Sequence, residues 1–202
     1  MNEGYIKFNC DWKQQEIQMN EEVFQELEKQ RSRLYELGLI GMYPDGIGFG
    51  NISVRVDNEN KFIITGSATG QFHRLAASQY SLVTDFNFER NSVSCTGLTK
   101  ASAESLTHAA VYVALPEVGA VVHIHSLLLW QKLVNKYPTT SETIEYGTPE
   151  MAIAVKELAK VANSHFEKII IMGGHREGIL AFADSLEEAT SAIINIYNQY
   201  QT

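Results

Sequence analysis

The chain has 202 residues, 45% of them hydrophobic, which is enough for one α/β domain with a real core and leaves little room for two. Its formal net charge of −8, with no basic cluster, argues against nucleic acid or an anionic membrane as a partner. No apolar run approaches the roughly 18 residues of a membrane span, no secretory pattern opens the chain, and the two cysteines, Cys10 and Cys95, are too few for a disulfide framework. A reduced, cytoplasmic protein is expected.

Residues 1–18 are mixed and polar, with Trp12 the only large anchor, and predict an arm or a short helix ahead of a single domain over residues 19–202. Asn20 suits the cap of a helix whose Val23, Phe24, Leu27, Leu34 and Leu37 recur at helical spacing up to Gly38. Tyr43–Gly50 reads as a turn-rich loop. Strands are expected over Asn51–Val56 and Lys61–Thr65, joined by a hairpin turn at Asp57–Asn60, then over Tyr80–Asp85 and near Val93.

Ser102 opens a helix reaching about Leu115, with Glu104 in its first turn. A strand through His123 and His125 and a helix over Leu127–Lys136 come next. Thr148-Pro149-Glu150 is a helix start by cap, proline and dipole, for a helix ending near Asn163. Strands over Lys168–Met172 and Ile179–Ala183 flank His175. Ser185-Leu-Glu-Glu188 is a capping box for a last helix with Ala189, Ala192, Ile193 and Ile196 inward. Two strand pairs precede the central helix, so the sheet is expected to be mixed rather than doubly wound parallel.

The chemistry concentrates in three stretches. In Ala120-Val-Val-His-Ile-His-Ser126 the alternation of a buried strand puts His123 and His125 on one face, about 7 Å apart along the backbone. Their imidazoles can converge on one ion, with a third histidine completing a catalytic site that keeps open positions. The alternative is a pair of histidines satisfied by hydrogen bonds at a strand end. Glu104, near a helix N-terminus, is favoured as carboxylate by the dipole and opposed by burial. Gly46-Ile-Gly-Phe-Gly50 does not fit G-x-G-x-x-G, so no dinucleotide fingerprint is present.

Taken in order, Gly50-Asn51-Ile-Ser-Val-Arg55, Ile64-Thr65 leading to Thr69-Gly70, Lys100-Ala-Ser102-Ala-Glu104 with His108, His123-Ile-His125-Ser126 and Gly174-His175 resemble the class II aldolase/adducin family over about residues 20–200. Its members include fuculose-phosphate and rhamnulose-phosphate aldolases and ribulose-phosphate 4-epimerase. The resemblance implies an α/β domain with a central, mixed, mainly antiparallel sheet and helices on both faces. It also implies one Zn²⁺ per subunit, or another divalent ion, held by His123, His125 and His175. Glu104 falls on the family's proton-moving acid, which can also occupy a metal position before substrate arrives. Gly50, Asn51, Thr69, Gly70 and Ser102 fall on its phosphate-binding positions, work suited to backbone N–H groups in tight turns.

Three departures from the pattern bear on specificity. Ala103 replaces a second serine of the sugar-phosphate aldolases; the related methylthioribulose-phosphate dehydratases also carry Ser-Ala-Glu. The Thr65–Gly70 stretch is longer than usual, so Thr65-Gly66 or Ser67 could serve in place of Thr69-Gly70. The usual His-Gly becomes His175-Arg-Glu-Gly178, whose Arg176 faces either substrate or solvent. Glu104, where the epimerases have aspartate, favours aldol cleavage or dehydration.

His108 is read as a packing residue behind the site, and His73 and His165 as exposed. Tyr146, Tyr197 and Tyr200 are the candidate acids, with a neighbouring subunit able to supply one. The leading expectation is a zinc-dependent aldehyde-lyase on a small phosphorylated ketose, working through an enediolate as a homotetramer with active sites between chains. A dehydratase using the same residues and a non-catalytic, adducin-like binding domain are the other readings.

Overall fold

Alternation along the central strands sorts the whole core. The computed structural model describes residues 5–56, 59–164 and 168–201. Its elements in chain order are β1 (Asn9–Gln14), α1 (Glu21–Glu36), β2 (Gly41–Met42), β3 (Gly48–Phe49), β4 (Asn51–Arg55), β5 (Phe62–Thr65), β6 (Tyr80–Asn87), β7 (Ser92–Gly97), α2 (Ser105–Ala114), β8 (Ala120–His125), α3 (Leu127–Leu133), α4 (Pro149–Ala162), β9 (Ile169–Ile171), β10 (Gly178–Ala183) and α5 (Leu186–Tyr200).

Among the described residues, eight strands form one sheet in the order β1-β7-β6-β5-β4-β8-β10-β9, in which the β1/β7 edge pair is parallel and the other pairs are antiparallel. Phe62 and Ile64 of β5, Val121 of β8, and Leu180 and Phe182 of β10 face α2 and α4. Their neighbours Ile63, Val122, Ile124, Ile179 and Ala181 face α1, α3 and α5. This period-two sorting, with helices on both faces, is the expected mixed, mainly antiparallel α/β arrangement. It also assigns His123 and His125, in phase with Val121, to the α2 side.

The local signals act as read. Asn20 caps α1 by accepting from the Glu22 N–H, Thr148 caps α4 from the Met151 N–H, and Ser185 caps α5 from the Glu188 N–H. Each such cap contributes about 1 kcal/mol. Along the inner stripe of α5, Ala189, Ile193 and Ile196 are buried while Ala192 is half-buried.

Several local expectations are corrected. Within residues 1–18, Asn9–Gln14 form an edge strand rather than a helix, because β7 offers a non-local partner from Ser92 to Gly97. Cys10 and Cys95 are free thiols whose sulfurs lie 3.8 Å apart across this pair. The expected loop over Tyr43–Gly50 contains strand β3, Gly48–Phe49, which pairs with β2, so only Tyr43–Ile47 form the turn of this short ribbon. The turn at Asp57–Asn60 and His165 fall wholly or partly outside the described residues. Among the described residues, no helix is long and apolar enough to cross a membrane.

Candidate metal centre

The carboxyl end of β8 places His123 and His125 on the α2 face, and the cross-strand neighbours set their surroundings. Asn51 of β4 lies opposite His123, and Gly178 of β10 lies opposite His125. His175 comes from the turn between β9 and β10, where its N–H donates to the Met172 carbonyl and its own carbonyl accepts from Gly178. Gly174 is required just before it, since a Cβ there would collide with the Ile144 carbonyl oxygen. The close approach locks the His175 turn onto the 140–146 loop.

Nitrogens of His123, His125 and His175 all lie within 4.8 Å of one another, and all three residues are buried. An ion bonded at about 2.0–2.1 Å in tetrahedral geometry spaces its ligand atoms about 3.3 Å apart, so side-chain closure of about 1.5 Å at most would seat it. Burial, reinforced by the imidazoles of His125, His175 and His108, holds the His123 pKa well below the usual range. Burial and then His175 do the same for His125. Neutral imidazoles with available lone pairs are what a divalent ion requires.

Glu104 sits at the N-cap of α2 rather than inside its first turn, because the Ser102–Ser105 turn precedes the helix. Its Oε2 accepts from Thr107 Oγ1 at 2.5 Å. Its Oε1 and His123 Nε2 are buried with no hydrogen-bond partner. Such atoms cost about 1–3 kcal/mol each, so the donor set fits a cation that would satisfy them.

One cleft gathers these groups with the anion-binding candidates. Gly50, Asn51, Thr69, Gly70, Ser102, Glu104, His123, His125 and His175 all line it, as do Gly66 and Ser67. Gly50 turns at φ +74, and a Cβ there would meet Ile40 Cγ1 at 2.7 Å, so only glycine carries the chain from β3 into β4. Thr65 does not line the cleft; its Oγ1 accepts from the Ile52 N–H. Thr69 Oγ1 donates to the Gly66 carbonyl and closes the loop, leaving Ser67 the other hydroxyl-bearing residue of that loop on the cleft wall.

Buried Arg31 of α1 holds the same loop from behind, donating to the carbonyls of Thr69 at 3.1 Å and His73 at 2.9 Å. Helical spacing puts Arg31 on the Leu27/Leu34 stripe of α1, but the carbonyls it meets are invisible in the sequence. Thr107 is legible in hindsight as the residue three positions after the acid. Tyr43, whose hydroxyl bonds to both Glu177 and His125, carried no signal, and Glu177 was marked only as part of an unusual turn.

Among the tyrosines, Tyr146 joins the site and stacks on His175 within the same chain. Tyr197 instead donates to the Leu37 carbonyl at 3.3 Å, and Tyr200 packs on the α1/α5 face. His108 is fully buried behind the centre, with Nδ1 2.7 Å from Ser53 Oγ, and burial lowers its pKa to about 3. Arg176 and His73 are exposed.

Three clustered histidines, a buried acid and a glycine-rich cleft on a mainly antiparallel sheet define an α/β domain with a candidate metal site. The chain belongs to the Class II Aldolase and Adducin N-terminal domain family, whose model matches residues 43–201. Two methylthioribulose-1-phosphate dehydratases of Leptospira interrogans are 36% and 34% identical over 109 residues, covering 50% of this chain and 42% of each relative. The chain thus spans less than half the length of these curated relatives.

The L-fuculose-1-phosphate aldolase of Thermus thermophilus matches at TM-score 0.63 with 21% identity, covering 88% of this chain and 90% of that one. A sugar-phosphate aldolase of Thermotoga maritima matches at 0.63 with 20% identity, covering 89% and 92%. At these identities the solved structures establish the shared fold.

Proposed function

We propose that the protein is a metal-dependent aldehyde-lyase that cleaves or forms a carbon–carbon bond in a small phosphorylated ketose. The observation that carries this reading is the meeting of three buried histidines with the unpartnered Oε1 of Glu104 in one cleft with the anion-binding loops. His123, His125 and His175 would hold the ion, one Zn²⁺ per chain, with Glu104 beside them as a further donor. The bound ion supplies Lewis acidity that polarises the ketose carbonyl.

Gly50, Asn51, Thr69, Gly70 and Ser102 grip the phosphate and so orient the reacting carbons. Glu104 Oε1 takes up and returns the proton, while Oε2 stays anchored on Thr107. Tyr146, which lines the same cleft, is the phenol assigned to donate to the oxygen at the far end of the substrate. A homotetramer with sites between chains belongs to the same reading, which the family resemblance supports. Sedimentation reporting a monomer at micromolar concentration, still active on dilution, would remove it.

Dehydration of a phosphorylated ketose is the second reading, favoured by the names of the 36% identical relatives and by Ser102-Ala103-Glu104. A non-catalytic, adducin-like binding domain is disfavoured, because buried polar atoms without partners are costly unless they have a use. Incubating the zinc-loaded protein with a panel of ketose phosphates decides among them. Release of dihydroxyacetone phosphate supports the lyase and loss of water with no cleavage supports the dehydratase. No turnover across the panel, together with failure to bind zinc, would leave the binding domain.

A further inference from the structure

We infer that Tyr43 and Glu177 form a positioning pair that fixes the tautomer and orientation of His125, presenting its Nε2 to the histidine cluster. The inference rests on the metal-site reading above and adds two residues to it. The Tyr43 hydroxyl lies 2.6 Å from Glu177 Oε2 and 2.9 Å from His125 Nδ1. A phenol has one proton. Given to the carboxylate, it leaves the phenol oxygen to accept, so His125 must carry its own proton on Nδ1. The lone pair then sits on Nε2. A metal-bound histidine is commonly held this way, by a carboxylate or other acceptor on its second nitrogen. Here a tyrosine is interposed between the two.

The surroundings hold each member in place. Tyr43 stands at the mouth of a tight turn, its N–H donating to the Ile47 carbonyl and its own carbonyl accepting from Gly46. Its ring lies 4.5 Å from that of Phe49, and Phe49 stacks on His125 at 5.4 Å and 22°. Glu177 is tied to the end of β8, where its carbonyl accepts from the Ser126 N–H at 3.0 Å. It adopts φ +80, a backbone conformation that a residue with a side chain adopts at a cost. Glycine would be the relaxed choice at that position. The carboxylate is the return for the strain, and Glu177 stands in the stretch where this chain departs from the family's usual His-Gly.

The test uses full-length protein and two variants, Tyr43→Phe and Glu177→Gly. Zn²⁺ affinity is measured by competition with a chromogenic chelator, and the His125 tautomer by long-range proton–nitrogen NMR on metal-free protein. Both variants should bind Zn²⁺ about ten- to hundredfold more weakly, and both should lose the pure Nδ1–H form of His125. Glu177→Gly should do so with an unchanged or raised melting temperature, since glycine relieves the positive φ. A merely structural contact would not weaken metal binding while stability holds or rises.

The double variant should be no worse than the poorer single one, because the pair acts as a unit. Zn²⁺ affinity within twofold of wild type in both variants, or an unchanged tautomer, overturns the inference. If Tyr43→Phe does not fold, Glu177→Gly alone decides. A wild-type protein that binds no Zn²⁺ would instead strike the metal-site reading, and the metal-free tautomer would still report on the pair.

Discussion

Tyr146 stacks on His175 in the same chain, with ring centroids 4.6 Å apart and planes at 24°, and Lys7 Nζ lies 3.8 Å above the tyrosine ring. The loop carrying Tyr146 is therefore part of the histidine site, joined to it through the Gly174 contact with Ile144. Tyr146→Phe keeps the stack and removes the phenol proton. It should retain Zn²⁺ and the fold while lowering turnover by about 10²-fold or more, the scale of a positioned acid. Tyr197→Phe and Tyr200→Phe should stay within a few-fold of wild type. Steady-state kinetics on all three variants separates the assignments, and a fully active Tyr146→Phe would move the acid elsewhere.

His125→Ala should abolish stoichiometric metal binding and leave a folded protein, because the core on both sheet faces is complete without the ion. Elemental analysis of protein purified without chelators, alongside circular dichroism, checks both halves of the statement. Retained metal in this variant would assign the ion to other residues.

Glu104→Gln should keep the metal and lower turnover by about 10²-fold or more, since the amide cannot take up a proton at the Oε1 position. The decisive measurement is solvent-deuterium exchange at the ketose carbon. Exchange at the wild-type rate would mean that another group moves that proton.

Acid should destabilise the metal-free protein through its buried imidazoles. His108 has a folded pKa of about 3, lowered by burial, against an ordinary value of 6.5. Between these values the unfolded chain binds the extra proton, so stability falls as pH drops from about 6.5 toward 3 and is flat above that window. One such group contributes a slope of up to about 1.4 kcal/mol per pH unit. His108→Asn should remove about one proton's worth of slope in denaturant titrations at pH 7, 6 and 5. An unchanged slope would show that His108 is not held neutral.

Gly174→Ala should cost about 1–3 kcal/mol, the scale of a forced backbone shift in a packed site. The new methyl meets the Ile144 carbonyl and pushes the 140–146 loop away from His175. Activity should fall further than stability, because Tyr146 and His175 separate. Thermal melts and kinetics on one preparation test the pairing of the two effects.

Much of the sheet is legible from the chain because its signals are local. The apolar alternation of residues 120–125 assigns both β8 histidines to one face, and caps at Asn20, Thr148 and Ser185 open three helices where they should. Edge strand β1 escapes such reading because Asn9–Gln14 is half-exposed and its partner, Ser92–Gly97, lies some eighty residues away.

The sequence by itself determined that His123 and His125 share a face, that Glu104 lies at the start of a helix, and that glycine-rich turns flank them, since period and capping act over a few residues. Only the tertiary structure decided how His175, named by the resemblance, closes on the pair, which of three tyrosines stacks on it, that Arg31 braces the Thr69 loop, and that Tyr43 links Glu177 to His125. Those contacts join elements distant in sequence, and side chains meet there because two helical layers close on one sheet. Packing of the whole chain, not any local propensity, sets such distances.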